Sequence, residues 1–223
     1  MTDFLKITKL DFFIMKSQLF TFLTLVPIIA IFGFMGSSAV VLGIHGAWFS
    51  ALLVACNVFA IQEKSNLDRL YGSVSVKLED IVLGRYVFMF LLYFASYIAA
   101  MAVHSAFSLY RGNALNIFDL IVGFSISFLV FSVITGTQVP LFFKMGFIKA
   151  RGWSFISYTL LMVLLLFPII PQLVPSLSVL TDIIERIRSN QSVLIISGIL
   201  ASCIVLFTSY KISVVVYRKR KRG

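Results

Sequence analysis

Residues 86–109 read YVFMFLLYFASYIAAMAVHSAFSL, a run without one Asp, Glu, Lys or Arg. About 20 apolar residues in a helix cross a hydrocarbon core of roughly 30 Å. A helix satisfies its own backbone hydrogen bonds in lipid, and the run lacks the in/out alternation of a barrel strand. Residues 19–35, 44–61, 117–139, 153–173 and 193–216 read the same way. The sequence therefore predicts an all-α membrane protein, a single transmembrane domain over residues 1–223 with six transmembrane helices. Composition agrees: 60% of the 223 residues are hydrophobic and 13% charged. A soluble domain of this length needs more polar surface than that.

An even number of spans places both termini on one side. That side takes Lys6, Lys9, Lys16, Lys64, Arg69, Lys77, Arg85, Lys144, Lys149, Arg151, Lys211, Arg218, Lys219, Arg220, Lys221 and Arg222. Only Arg111, Arg186 and Arg188 fall on the other. Loops rich in Lys and Arg stay cytoplasmic, so the sequence predicts cytoplasmic termini in the plasma membrane. The net charge of +10 is then a topology signal and not a nucleic-acid footprint. The basic tail fixes the end of the last helix or touches anionic membrane lipids. Trp48 and Trp153 fall near opposite interfaces as anchors, and Cys56 and Cys203 lie inside spans as small apolar residues.

The N-terminus lacks a small-residue cleavage site and does not read as a leader. Phe4, Ile7, Leu10 and Ile14 share a helical arc, with Lys9 and Lys16 opposite and Asp11 interrupting the apolar face. This predicts a short interfacial helix before the first span.

No Walker A pattern, Gly-x-Gly-x-x-Gly, His-Glu-x-x-His or Cys-x-x-Cys occurs, so no nucleotide or metal site is expected in this chain. None of the nine acids falls near the middle of a span, and Asp119 stands at the edge of the fourth. An ion-driven carrier ordinarily keeps an ionisable group at that depth. His104 reads as a helix-packing donor and His45 as an interface residue. Asn57 in the second span and Ser132, Thr135 and Gln138 in the fourth are polar candidates for a translocation path. The alternative is that such groups bond their own backbone or a neighbouring helix. Small residues paired at Gly123/Ser127 and Ser197/Ala201 permit close helix approach.

Two connections carry more than linkage. Residues 62–71 extend the second helix beyond the membrane, with Glu63, Asp68 and Arg69 keeping it soluble. Gly72 and Ser73 break it. Ser75 then caps a second short helix with Glu79 and Asp80 in its early turns and Arg85 towards its end. Such a helix is either a rigid cytoplasmic knob for a partner or a solvated loop feeding the third span. After the fifth span, Pro168, Pro171 and Pro175 interrupt an apolar run. An amphipathic stretch with Leu177, Leu180, Ile184 and Ile187 on one face follows. This predicts an outer re-entrant or capping segment between spans five and six.

Residues 63–77, EKSNLDRLYGSVSVK, and 80–86, DIVLGRY, resemble the cytoplasmic loop of bacterial type-2 ABC export permeases. Ser73-Val74-Ser75-Val76 stands where a leucine-proline pair is usual. Residues 139–146, VPLFFKMG, are a second similar stretch, and the likeness extends over the six-span layout. The resemblance implies a permease subunit that works with a separate ABC ATPase, which carries the ATP and Mg. It also implies a dimer with a second permease copy or a paralogue, and a coupling helix. Glu63, Asp68, Arg69, Lys77, Asp80, Ile81 and Arg85 are the expected ATPase-coupling residues. The similar groups export, or give immunity to, antimicrobial peptides, lantibiotics or amphipathic toxins. A stand-alone secondary carrier, a membrane enzyme and a scaffold or immunity protein without transport are the alternatives. The carrier needs a buried ion site and the enzyme needs clustered nucleophiles, bases or metal ligands.

Overall fold

In the computed structural model the described residues are 3–16, 39–49, 56–65, 77–150 and 190–222, with residues 27, 30, 31, 152, 153 and 159. They form six helices: α1 (Asp3–Met15), α2 (Ala39–Phe49), α3 (Cys56–Lys64), α4 (Leu78–Tyr110), α5 (Ile117–Met145) and α6 (Gln191–Arg222). Among the described residues there is no strand. Among the described residues three helices are long and apolar enough to cross a membrane: Leu78–Tyr110, Ile117–Met145 and Ser192–Lys221. Three of the six expected spans are thus present as continuous helices. The span expected at 44–61 is represented by α2 and α3. Those expected at 19–35 and 153–173, and the outer segment with Pro168, Pro171 and Pro175, lie almost wholly outside the described residues.

One expectation needs correction. The short helix read as separate from the third span is the first turns of α4, which runs unbroken for 33 residues. Its N-cap is Lys77, in extended conformation and without a side-chain cap, so Ser75 does not start it. Glu79 and Asp80 stand in the first turn, where the helix dipole favours negative charge. The chain turns at Gly112, whose φ is +73°. α5 then starts with Asn116 accepting from the Phe118 N–H at 3.0 Å. α5 continues through Pro140 and stops at Gly146, whose φ of +78° suits a residue without Cβ.

α5 is the hub, with α6 along one side and α2 along another. Small residues allow this. A Cβ on Gly123 would meet the Ala39 backbone at 3.2 Å, and one on Gly136 would meet Val205 at 2.8 Å. The α4 and α5 backbones stay further apart because aromatic rings fill their seam. Tyr93 stacks on Phe131 with centroids 4.6 Å apart and on Phe128 at 5.7 Å. Polar side chains stitch the bundle across helices. Tyr93 OH meets Ser127 Oγ at 2.8 Å, and Tyr86 OH meets Ser209 Oγ at 2.5 Å. Ser209 in turn donates to the Gly136 carbonyl at 2.8 Å.

α1 packs onto the start of α4. Ile7, Thr8, Asp11 and Met15 form its buried face. The Thr8 hydroxyl reaches the Gly84 carbonyl at 3.1 Å. Asp11, which breaks the apolar arc in the sequence, therefore belongs to the packed face, while Phe13 and Leu5 stay exposed.

Candidate functional site

The ends of α3 and α5, the start of α4 and the last turns of α6 meet at one end of the bundle, and most expected coupling residues lie there. Asp11 and Arg85 form its interior. Asp11 Oδ2 stands 3.0 Å from Arg85 Nε, and both side chains are fully buried. The Arg85 guanidinium also lies 5.2 Å from the Phe59 ring centroid. Phe59 packs against Phe142 and Phe143, so Arg85 joins α1, α3, α4 and the end of α5. Among the described residues neither Asp11 oxygen has a hydrogen-bond partner of good geometry. Burial pushes the Asp11 carboxyl up to about 6, and the attraction of Arg85 offsets only part of that.

Glu63 also works inside the molecule. Its Oε2 accepts from the N–H of Phe147 at 2.5 Å and of Ile148 at 3.0 Å. It caps the helical turn at 147–150 that follows Gly146. A Cβ on Gly146 would come within 3.1 Å of the Glu63 carboxylate, so glycine also makes room for the cap. Ile81 is buried. Of the expected coupling residues, Ile81 and Arg85 therefore face the interior and Glu63 is a half-buried cap. Lys77 is exposed and Asp80 half-buried at the tip of α4. Asp68 and Arg69 lie outside the described residues.

Sequence reasoning missed the roles of Glu79 and Arg218. Arg218 Nη2 meets Glu79 Oε1 at 2.8 Å on the surface, tying the first turn of α4 to the last turns of α6. An acidic first turn and a basic tail assigned to the same side were the available signal.

The four polar candidates for a path do not form one group. Asn57 is half-buried on α3. Ser132 donates to the Phe128 carbonyl of its own helix at 2.7 Å, as the backbone alternative has it. Thr135 and Gln138 are buried, and their polar side-chain atoms have no hydrogen-bond partner among the described residues. Of these four residues only Thr135 lines the large cavity between α4, α5 and α6, of about 550 Å³. No group of His, Cys, Asp and Glu among the described residues could hold a metal ion.

The family model described as ABC-2 family transporter protein matches residues 6–218. No curated protein and no solved structure gives a significant match to the chain.

Proposed function

The chain belongs to the ABC-2 transporter family, and from that premise we propose that it is the membrane-spanning permease subunit of an ATP-driven exporter, with the energy supplied by a separate ATPase subunit. The permease acts as a dimer with a second copy or a paralogue. Both termini and the charged end of the bundle face the cytoplasm of a plasma-membrane permease. The cargo is an amphipathic peptide or lipid-like molecule, in keeping with apolar helices that carry no acid at membrane depth.

The observation that carries the coupling part is the unbroken run of α4 from Leu78 to Tyr110. A helix curves gently but does not kink sharply without a proline, a Gly/Ser pair, a bulge or an inserted group. An ATPase that pushes on the tip, at the exposed Lys77 and the half-buried Asp80, therefore moves the whole span as one rod. Asp11 and Arg85 make α1 follow that motion. The proposed coupling surface is Lys77 and Asp80 together with Asp68 and Arg69. Glu63, Ile81 and Arg85 support it from within.

The test is co-reconstitution with a companion ABC ATPase that co-purifies with this chain. Lys77→Glu combined with Asp80→Lys is expected to leave the permease folded and bound while cargo-stimulated ATP hydrolysis falls to its basal rate. Full stimulation in that variant would contradict the assignment.

A further inference from the structure

Phe131, Thr135, Gln138 and Phe142 stand at i, i+4, i+7 and i+11 of α5, so they share one stripe of the helix. All four are buried. Aromatic rings hold the two outer members. Phe131 stacks on Tyr93 of α4 with centroids 4.6 Å apart, and Phe142 lies 5.0 Å from Phe59 of α3. The two inner members are polar, at positions where such a stripe is ordinarily apolar core. An aromatic layer therefore closes the helix face on either side of them.

Their polar atoms are unmatched. Hydroxyls in membrane helices ordinarily bond a carbonyl of their own helix or of a neighbour. On α5, Ser132 bonds the Phe128 carbonyl at 2.7 Å and Thr137 the Val133 carbonyl at 3.0 Å, while Ser125 reaches the Ile195 carbonyl of α6 at 3.0 Å. Thr135 is 1% exposed, and its hydroxyl has no partner among the described residues. Gln138 is the larger case. Its carboxamide offers an N–H donor group and a carbonyl acceptor, and neither is matched among the described residues at 0% exposure. Buried polar groups are nearly always hydrogen-bonded, and one left unmatched lowers stability. In this arrangement an apolar pair of the same shape would fill the stripe better.

We propose, on the permease reading above, that Thr135 and Gln138 are the polar lining of the translocation path, shut here between two aromatic layers and hydrated in a second state of the bundle. In the shut state the unmatched amide and hydroxyl narrow the free-energy gap to the open one. In the open state water, or the polar part of an amphipathic cargo, bonds them. The Phe59–Phe142 layer is placed to respond to the ATPase. Phe59 touches Phe142 and also lies 5.2 Å from the Arg85 guanidinium on the first turns of α4. Displacement of α4 carries Arg85 against Phe59 and parts that layer. Ser132 stays outside the lining, because its hydroxyl is engaged by its own helix.

Two measurements test this. The first uses the full chain in nanodiscs and needs no ATPase. Thr135→Val combined with Gln138→Met keeps the shape and removes both polar groups. It is expected to raise the thermal unfolding midpoint by about 2–4 °C. An unchanged or lowered midpoint overturns the proposal, because it means that both groups have partners in the shut state. The second uses the full chain with its co-purified ATPase. Cys56→Ala and Cys203→Ala remove the two native thiols, and Gln138→Cys then reports water access through a charged methanethiosulfonate reagent. Labelling is expected to be at least about tenfold faster with a non-hydrolysable ATP analogue than without nucleotide, a shift of about 1.4 kcal/mol in the shut–open equilibrium. Ala100→Cys, equally buried where α4 meets α2, is expected to stay protected in both conditions. Equal labelling at residue 138 in a complex that hydrolyses ATP overturns the lining alone, as does a matching acceleration at residue 100. Failure of any ABC ATPase to co-purify contradicts the permease reading instead, and the unfolding midpoint still decides whether the two groups are unmatched.

Discussion

Arg85 on the first turns of α4 holds Asp11 of α1 at 3.0 Å, with both side chains shut away from solvent. Taking two charges out of water costs several kcal/mol each, and their attraction need not recover it. Here burial dominates, and the Asp11 carboxyl is pushed up to about 6 from 3.8. The pair is therefore a titratable contact rather than a strong staple.

The sign of its pH dependence follows. The folded chain holds the Asp11 proton more tightly than the unfolded chain does. This group's contribution to stability is complete below pH 3.8 and is lost as pH rises towards about 6. Thermal unfolding in detergent between pH 4.5 and 7.5 is expected to show that loss in the wild type. Asp11→Asn should remove it. An unchanged slope in Asp11→Asn would assign the pH dependence elsewhere.

Removing the cation instead strands the carboxyl. Arg85→Met is expected to destabilise by about 3–5 kcal/mol at pH 8, the typical effect of breaking a buried pair. The loss should shrink towards pH 5, where Asp11 neutralises. A loss independent of pH would mean that the guanidinium acts through packing on Phe59 alone.

Much of this architecture is legible from sequence, and the part that is not has a physical reason. Residues 86–109, 117–139 and 193–216 announce themselves because lipid leaves a long apolar run only one way to satisfy its backbone. The first turns of α4 do not. Glu79, Asp80 and Arg85 look like the charges of a surface helix, yet Arg85 points inward and its partner lies on a helix near the N-terminus. Asp11 within an apolar arc was the visible sign of that partner. Glu63 likewise reads as a solvating charge, because the N–H groups it caps come from the distant turn after Gly146. Ser132 and Thr135 look alike in the sequence, and only packing decides which one bonds its own helix.

The docking of α1 depends on the missing side chain at Gly84. A Cβ there would meet Ile7 Cβ and the Phe4 carbonyl at 2.9 Å, with backbone on one side of the clash. Gly84→Val is expected to displace α1 at a cost of about 1–3 kcal/mol. Spin-label distances between α1 and α6 report it. An unmoved α1 would contradict the packing described above.

The Glu63 cap is testable on its own. Glu63→Ala leaves the Phe147 and Ile148 N–H groups without their acceptor and is expected to cost about 1 kcal/mol. Amide exchange at residues 147–150 should quicken. The surface pair Glu79–Arg218 gives the contrast. Its side chains are about half exposed, so Glu79→Gln is expected to change stability by less than about 1 kcal/mol.

In the proposed cycle this permease has no motor of its own and is driven through the tip of α4 by an ATPase. The most direct measurement is uphill movement of an amphipathic cargo in proteoliposomes that hold this chain with or without the companion ATPase. Transport is expected only with the ATPase and ATP present, and is expected to be lost in the Lys77→Glu, Asp80→Lys double variant. Uphill transport by this chain alone, on a proton or sodium gradient, would contradict it.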